Sequence, residues 1–310
     1  MLTNEQLEER LNYVTGSDAA VICGFSPYKT KVQLWLEKTR RVEQDDISNK
    51  NIIKFGNFME QGIADWFSSE SGILLKAKAL NEPESMQIHK TNKWMAGNID
   101  YLALEENAGV ECKSSGRPGE EWGNGENLIP NVYMFQCAHY AMVYDFDIIY
   151  LPVVFASTRE LRWYTYERNK NLESIIEERE YNFWHKHVLA DVPPDPDTEQ
   201  EVKQLYKETK SSPIQATHEI IDSLYKMKDI DIQIKELEAT KQLHKDKVAR
   251  FMCQHDTLLN LTGEPVATWK NSKPVKQFNK DKLELEHPDI FAKYASFRNP
   301  VRTFRNNIGK

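Results

Sequence analysis

Two short segments of the chain place acidic side chains next to a lysine. Asp100 lies in the run from Gly97 to Leu102, and Glu111 and Lys113 lie in the run from Val110 to Lys113. Both runs read as strands, and alternate residues of a strand face the same side, so Glu111 and Lys113 share a face. Two carboxylates beside a cation form an oxygen-rich site of the kind that Mg²⁺ prefers. The spacing indicates metal-assisted phosphoryl chemistry.

Three further polar residues follow the same order along the chain. Glu60 lies four residues after Gly56 on one helix face, where the glycine leaves space beside the carboxylate. Gln136 and Tyr140 share a face of a later helix, and both side chains can hydrogen-bond a phosphate. Spacing alone is also compatible with a surface acid, a turn acid and a solvated strand edge, because the pattern is loose.

The elements that must position these residues can be read from apolar spacing. A helix is predicted over 52–71, ended by Gly72, and turn residues at 105–109 predict a hairpin between the two acidic strands. A glycine-rich loop over 115–130 then precedes a helix over 132–143. The other predicted elements are strands at 73–75, 86–88, 148–155 and 161–166, and a helix at 172–189. This order predicts an α/β core.

The helix starts also have sequence signatures. Thr3 to Gln6 and Thr30 to Gln33 read as capping boxes, and Ser17 is a candidate N-cap between them. Three prolines between Val192 and Asp197 cannot continue the preceding helix. We therefore predict a core over 1–192, a linker over 193–197 and an extension over 198–310.

The predicted extension is mainly helical. Its apolar residues step by three and four, in a heptad-like stripe that predicts one helix to about Phe251, packed against a neighbour or self-assembling. The members of the stripe are Ile220, Leu224, Met227, Ile230, Ile234 and Leu237. Residues 265–270 and 301–305 read as strands of a small cap.

Composition limits the class of protein. The 310 residues include 47 acidic and 40 basic side chains, a formal net charge of −7, which excludes nucleic-acid binding through overall positive charge. The sequence predicts a soluble chain with no membrane span and no signal peptide. Its four cysteines form no CxxC pair, so we expect neither a zinc knuckle nor disulfides, and a cytoplasmic location.

The ordered motifs resemble those of a known superfamily. Glu60, Asp100, the triplet 111–113 and the run 136–140 look like the successive motifs of PD-(D/E)XK nucleases, specifically the YqaJ-like or lambda-exonuclease-type viral recombinase nucleases. The stretches 10–20 and 24–30 are the most specific part of the match. The resemblance covers nearly all of the first 190 residues, and the extension is similar to that of longer phage-type members. It implies a restriction-endonuclease-like core, a central mixed sheet flanked by helices.

The resemblance also implies roles for individual residues. Asp100, Glu111 and the backbone carbonyl of Cys112 would bind the catalytic Mg²⁺, for which Mn²⁺ would substitute, and Glu60 would help to hold a second ion. Lys113 would act at the attacking water. No cysteine group is present that would clamp an iron–sulfur cluster, so that branch of the superfamily is rejected.

Other residues would contact DNA phosphates. Gln136, with Tyr140, would support the scissile or adjacent phosphate, and Asn98 stands where some relatives have a phosphate-binding serine. Arg10 and Ser17 match positions that hold a terminal 5′-phosphate in the family, a role suited to a guanidinium. A helix-end ion pair for Arg10 and a simple N-cap for Ser17 remain comparable readings.

The leading expectation is a Mg²⁺-dependent exonuclease that digests linear double-stranded DNA 5′ to 3′. It would leave 3′ single strands for recombination with a single-strand annealing protein, in a bacterial host cell and of phage or prophage origin. The alternatives are a structure-selective or restriction-like endonuclease on the same fold, and a non-catalytic module that binds DNA ends or an annealing protein. A homo-oligomer is expected, and the resemblance allows a ring trimer.

Overall fold

The computed structural model describes residues 4–43, 50–77, 86–123, 127–296 and 302–308. The chain divides into two compact units, Met1–Leu205 and Tyr206–Lys310. No helix within the described ranges is long and apolar enough to cross a membrane.

In the described part of the chain, four helices precede the sheet. They are α1 (Asn4–Arg10), α2 (Gly16–Ile22), α3 (Lys31–Lys38) and α4 (Asn51–Ser71). Helix α3 begins with the predicted capping box, since the Thr30 hydroxyl accepts from the backbone N–H of Gln33 and the Gln33 side chain accepts from that of Thr30. Helix α4 ends at Gly72, whose φ of 77° is left-handed, as predicted from the glycine.

Two predictions about helix starts have other outcomes. Ser17 is not an N-cap, because Thr15 has the extended N-cap conformation and Ser17 already lies in the first turn of α2. The Asp18 side chain accepts from the backbone N–H of Thr15, so the box begins two residues earlier than predicted. The proposed box from Thr3 to Gln6 begins outside the described residues.

A six-stranded mixed sheet forms the centre of the first unit. Its strands are β1 (Leu75–Ala77), β4 (Tyr101–Ala103), β5 (Ala108–Val110), β6 (Lys113–Ser115), β7 (Ile148–Phe155) and β8 (Glu160–Glu167). A separate antiparallel pair contains β2 (Gln87–Ile88) and β3 (Ala96–Gly97). The predicted hairpin is present, with Tyr101 opposite Val110 in antiparallel register.

Helices cover the sheet, and the predicted fold class is confirmed. Helix α5 (Asn131–Tyr144) contributes buried side chains to a core that it shares with α2, β7 and β8. Ile63 and Phe67 of α4 pack in another cluster with Val110 and Val154. Helix α6 (Lys170–Asn182) continues into a π-helical segment, Phe183–Leu189, where one continuous α-helix was predicted.

The first unit extends past the predicted proline linker to α7 (Glu199–Leu205). The buried Glu201 carboxylate accepts from the backbone N–H groups of Asp197 and Thr198, which caps α7. Leu205 packs against the cluster formed by α2 and α3. The division of the chain thus falls at Leu205, with the proline-rich residues 193–197 inside the first unit.

The second unit contains one long helix, α8 (His218–Met252), as the apolar stripe predicted. A small antiparallel pair follows, β9 (Thr257–Leu259) with β10 (Pro265–Thr268), and then α9 (Lys280–Glu286) and α10 (Pro288–Tyr294). The prediction of a strand at 301–305 is wrong for its described residues: 302–305 have no strand partner. The side chain of Arg302 instead donates to the carbonyl of Tyr206.

Candidate active site

The candidate site lies at a gap between two short strands, β5 and β6, that pair with the same neighbouring strand, β7. Strands β5 and β6 pair in parallel with the two halves of β7, at 148–150 and 153–155, so the ladder is interrupted at Glu111 and Cys112. Pro152 lies opposite this gap and has no N–H to continue the ladder. The Glu111 N–H still donates to the Tyr150 carbonyl at 2.9 Å, so the gap frees the backbone N–H of Cys112 between two anchored strands.

The Asp100 side chain supplies the acceptor for the backbone N–H of Cys112 at this gap. Its Oδ2 accepts from the backbone N–H of Cys112 at 2.8 Å. Burial, together with the charge of Glu111, raises the pKa of Asp100 well above its ordinary value, although Lys113 and the Cys112 N–H oppose the shift. The hairpin thus joins Asp100 to the strand gap, as predicted from the sequence.

Glu111 is buried, and two side chains donate hydrogen bonds to it. Its Oε1 accepts from Lys113 Nζ at 2.6 Å and from Gln136 Nε2 at 2.8 Å. Its Oε2 is also buried, yet it has no hydrogen-bond partner among the described residues. Because a buried carboxylate oxygen without a partner is costly, this atom is a position where a cation would stabilise the folded site.

Lys113 supplies the positive charge of the cluster. Burial opposes that charge, but the carboxylates of Glu111 and Asp100 outweigh it and raise the pKa of the ammonium. Lys113 Nζ also lies 5.5 Å from the centroid of the Tyr133 ring, in cation–π geometry. Lys113 is therefore a charged hydrogen-bond donor to Glu111 in this structure.

Glu60 contributes a further negative charge from α4. Burial, followed by the charge of Glu111, raises the pKa of Glu60. A Cβ at Gly56 would lie 3.7 Å from Ser114 Oγ, an ordinary contact, so the glycine faces β6, and the predicted space beside Glu60 remains a prediction. The charge of Glu111 disfavours ionisation of Glu60 and Asp100, so a cation would stabilise both in their charged forms.

The acidic residues fit a Mg²⁺ site in which water and substrate oxygens complete the metal's ligands. They do not fit a site in which protein side chains supply every ligand. Within the described ranges, no three His, Cys, Asp or Glu side chains form a group that could hold a metal ion by themselves. Mg²⁺ typically takes one or two carboxylates and completes its shell with water and substrate oxygens. Asp100 and Glu111 with its unpartnered Oε2 fit this pattern, whereas Glu60 and the Cys112 carbonyl as ligands remain predictions.

Gln136 and Tyr140 join this cluster from α5. Gln136 Nε2 donates to Glu111 Oε1 and lies 3.0 Å from Tyr140 Oη. Burial and the charge of Glu111 raise the pKa of Tyr140 well above its ordinary value, so the phenol stays protonated. Both side chains therefore brace Glu111 in this structure, and their predicted contact with phosphate remains a prediction.

Asn98 lies close to the site along the chain, between β3 and Asp100. Its Oδ1 is a second buried oxygen without a hydrogen-bond partner in the described part of the chain. A buried amide oxygen without a donor is costly, and a phosphate, whose oxygens accept, would pair with the Asn98 amide N–H₂ rather than with this oxygen. The predicted role of Asn98 at a phosphate remains a prediction.

Two glycines hold the ring of Tyr140. An added Cβ at Gly16 would lie 2.6 Å from Tyr140 Cε1, and one at Gly97 would lie 2.9 Å from Cδ1. These positions belong to α2 and to β3, so the ring is packed between two backbone segments that admit no side chain. This packing joins the N-terminal helices to the acidic cluster through Tyr140 and Gln136.

Replacing Gly16 with alanine is expected to lower the free energy of unfolding by about 1–3 kcal/mol, because the new methyl group would overlap the Tyr140 ring. Gly62 is the matched control, since nothing lies within 4 Å of an added Cβ there. Gly62→Ala in the interior of α4 should stabilise the protein by about 0.5–1 kcal/mol. Urea denaturation measures both variants, and equal effects would contradict the packing.

Arg10 and Ser17 are brought together at the start of α2. Arg10 Nη2 donates to Ser17 Oγ at 2.8 Å and to Thr15 Oγ1 at 3.3 Å. The predicted phosphate-binding pair is therefore adjacent in space, and Gly16 between them in the chain packs on Tyr140. Arg10 has no acidic partner among the ion pairs of the described residues, which does not support the alternative of a helix-end ion pair.

A buried ion pair that was not predicted from the sequence holds α3 against α2 and the segment before it. Lys38 Nζ lies 2.7 Å from Asp18 Oδ2 and donates to the backbone carbonyls of Arg10 and Tyr13 at 2.8 and 2.6 Å. Burial would raise the pKa of Asp18, but Lys38 outweighs it and lowers that pKa. The capping signature Thr15-x-x-Asp18 could have revealed the acid, whereas Lys38 had no local signal.

A second buried pair lies behind the site and was also missed. His139 Nδ1 lies 2.9 and 3.1 Å from the two carboxylate oxygens of Glu180, and His139 Nε2 lies 3.0 Å from the carbonyl of Ala96. Both ring nitrogens face acceptors, which favours an imidazolium, while burial also raises the pKa of Glu180. Burial opposes the charge, but Glu180 outweighs it and raises the pKa of His139. The pair ties α5 and α6 to β3.

A mixed sheet flanked by helices, with an acidic pair and a lysine at a strand gap, defines a restriction-endonuclease-like core. Residues 5–147 match the model of the YqaJ-like viral recombinase domain. The match covers slightly less than half of the 310 residues, and over that range it supports the predicted resemblance.

Similar proteins cover both the full chain and the core. Protein YqaJ of Bacillus subtilis (strain 168) is 28% identical over 306 residues, which are 94% of this chain and 91% of that protein. The crystal structure of LHK-Exo in complex with dAMP has a TM-score of 0.50 and 16% identity, covering 66% of this chain and 97% of that one. LHK-Exo is an alkaline exonuclease from Laribacter hongkongensis. At this identity the likeness shows the fold alone.

Proposed function

We propose that this protein is a Mg²⁺-dependent deoxyribonuclease that digests linear duplex DNA from a 5′-phosphorylated end in the 5′ to 3′ direction. The family and the alkaline exonuclease with the same fold support a nuclease role. The observation that supports the finer proposal is the series of contacts that runs from the Arg10/Ser17 pair, through Gly16 next to Ser17 in the chain, to Tyr140, Gln136 and Glu111.

The acidic cluster would hold the metal and order the reacting groups. Asp100 and Glu111 would be the carboxylate ligands, with Glu60 near a second ion and Mn²⁺ able to replace Mg²⁺. When bound, the ion supplies Lewis-acid polarisation of the phosphoryl group. Lys113, charged and beside Glu111, would orient the attacking water and stabilise negative charge that develops on the phosphate. Gln136 would hold Glu111 in place.

The Arg10/Ser17 pair would select the DNA end. A guanidinium and a hydroxyl supply several donors to the oxygens of a terminal phosphate, and a charge-assisted hydrogen bond is stronger than a neutral one. An internal phosphodiester carries less charge than a terminal phosphate, so this pair favours an end. The 3′ single strand left by the reaction would be the substrate of a single-strand annealing protein.

Arg10→Ala is expected to slow digestion of 5′-phosphorylated linear DNA by about 10-fold to 100-fold, the loss of a charged hydrogen-bonding group. Digestion of the same DNA with a 5′-hydroxyl should change little. Arg40→Ala is the matched control, because Arg40 lies nearby and contacts the exposed Asn12 and Glu8. Equal losses on both DNA ends would contradict the terminal-phosphate role.

The same assay tests the nuclease and its mode of cutting. Wild-type protein should degrade linear duplex with Mg²⁺, lose activity in excess EDTA, and leave closed circular DNA intact. Cutting of the circle would contradict the exonuclease and indicate an endonuclease on the same fold. Binding of DNA ends without any cleavage in Mg²⁺ or Mn²⁺ would indicate a non-catalytic module that binds DNA ends.

A further inference from the structure

Tyr133, in the first turn of α5, brings an aromatic ring to the Lys113 ammonium. Lys113 Nζ lies over this ring, 5.5 Å from its centroid, and donates to Glu111 Oε1 at 2.6 Å. A lysine has a flexible four-carbon stem, so one hydrogen bond does not fix the position of its ammonium. The negative face of an aromatic ring attracts a cation and adds a second constraint. The position of the Lys113 ammonium is thus set by a carboxylate and a ring together.

The Tyr133 ring is itself held by Trp122. The two rings are stacked, with centroids 5.3 Å apart and planes at 25°. Trp122 is 2% exposed and belongs to a short 3₁₀ turn, Glu120–Trp122, in the loop that follows β6. Its ring also packs on Phe155 of β7 at 5.7 Å and on Tyr164 of β8 at 5.2 Å. The loop after β6 therefore anchors Tyr133 to the sheet.

The attraction comes from a neutral ring rather than from a phenolate. Burial raises the pKa of Tyr133, although the charge of Lys113 opposes the shift, so the phenol keeps its proton at neutral pH. The Glu111 carboxylate differs from the ring, because a divalent ion bound to Glu111 would offset its negative charge and repel the ammonium. The ring is therefore the contact of Lys113 whose attraction does not depend on the metal.

We propose that Tyr133 is a positioning residue, whose ring face keeps the Lys113 ammonium beside Glu111 when metal and DNA are bound. Tyr133 acts on the reaction through Lys113, and Trp122 holds the Tyr133 ring in place. The catalytic consequence of this inference rests on the proposed nuclease function. The placement of Lys113 by Tyr133 does not, because it can be measured in the protein without metal or DNA.

Single-turnover cleavage of 5′-phosphorylated linear DNA in saturating Mg²⁺ tests the catalytic consequence. Tyr133→Leu should slow the cleavage step by about 10-fold, which corresponds to about 1.4 kcal/mol and is in the range of a partly buried cation–π contact. The DNA concentration that gives the half-maximal rate should stay unchanged. Tyr133→Phe keeps the ring and should cleave within about 2-fold of the wild-type rate. Equal losses in the two variants would overturn the role of the ring.

A series of ring substituents separates electrostatic attraction from packing. Phenylalanine, 4-fluorophenylalanine and 4-cyanophenylalanine in place of Tyr133 have similar ring sizes but progressively weaker negative faces. The cleavage rate should fall in that order, whereas a ring that only fills space would give three equal rates and overturn the proposal. Tyr181→Leu is the matched control, because Tyr181 is an exposed tyrosine of α6 that stacks on His185. It should cleave at the wild-type rate.

Nuclear magnetic resonance of the metal-free protein tests the placement of Lys113 without any activity. With all lysines labelled at Cε, Lys113→Met identifies the Lys113 signal by its loss. Protons that lie over an aromatic ring are shielded, so the upfield shift of Lys113 Hε should persist in Tyr133→Phe and disappear in Tyr133→Leu. An unshifted signal in the wild type would overturn the inference. A shifted signal in a wild type that cleaves no DNA would support the placement by Tyr133 and contradict the proposed nuclease.

Discussion

Lys113→Met is expected to reduce single-turnover cleavage of 5′-phosphorylated linear DNA by at least about 10²-fold to 10³-fold, the usual loss for one charged donor at a developing anion. The methionine keeps much of the length of the side chain but removes its charge. Glu111 Oε1 would then retain Gln136 as its donor, beside a carboxyl group of Asp100 that is already hard to ionise. Cleavage of radiolabelled duplex in saturating Mg²⁺ measures the effect.

Lys76→Met serves as the matched control, because Lys76 lies on β1 of the same sheet and is exposed. It should cleave at the wild-type rate. Thermal unfolding of both variants separates loss of chemistry from loss of fold. Cleavage by Lys113→Met at the wild-type rate would remove Lys113, and with it the proposed active site, from consideration.

Glu180→Ala is expected to lower the free energy of unfolding by about 3–5 kcal/mol, since removing one member of a buried pair leaves the other charge uncompensated. Both side chains of the His139–Glu180 pair are fully buried. Glu178→Ala, an exposed position on the same helix, should change stability by less than about 0.5 kcal/mol. Urea denaturation near pH 6 gives both values.

The pH dependence of this effect follows from the raised pKa of His139. The imidazolium contributes its full stability below the unfolded pKa of about 6.5, and the contribution is lost as pH rises through the folded pKa. The difference between wild type and Glu180→Ala should therefore narrow on the alkaline side. A double variant, His139→Ala with Glu180→Ala, should lose less than the sum of the single losses. Strict additivity and a pH-independent difference would contradict the ion pair.

Local sequence patterns predicted the parts of the fold that local chemistry decides. The helix ended by Gly72 and the capping box at Thr30 were correct because each depends on residues three or four apart. The hairpin that brings Asp100 to Glu111 was correct for the same reason. Ser17 was misplaced because three adjacent residues can each cap a helix, and only the Asp18 contact distinguishes Thr15.

The remainder depends on contacts between distant segments. Nothing near His139 in the sequence indicates Glu180, 41 residues away, and nothing near Asp18 indicates Lys38. Pro152 lies inside the predicted strand 148–155, and only the register of β7 with β5 and β6 places it opposite Cys112 at the gap. The types of the site residues were therefore predictable, but the residues that hold them in place were not.

The clamp on Tyr140 has a consequence for the products of the reaction. The ring packs so closely on Gly16 and Gly97 that neither position admits a Cβ, and this packing sets the separation between the Arg10/Ser17 pair and the acidic cluster. Under the proposed function, that separation determines how many nucleotides lie between the bound 5′ end and the phosphodiester bond that is cleaved. Each turnover would then release a fragment of one fixed length, whatever the sequence of the DNA.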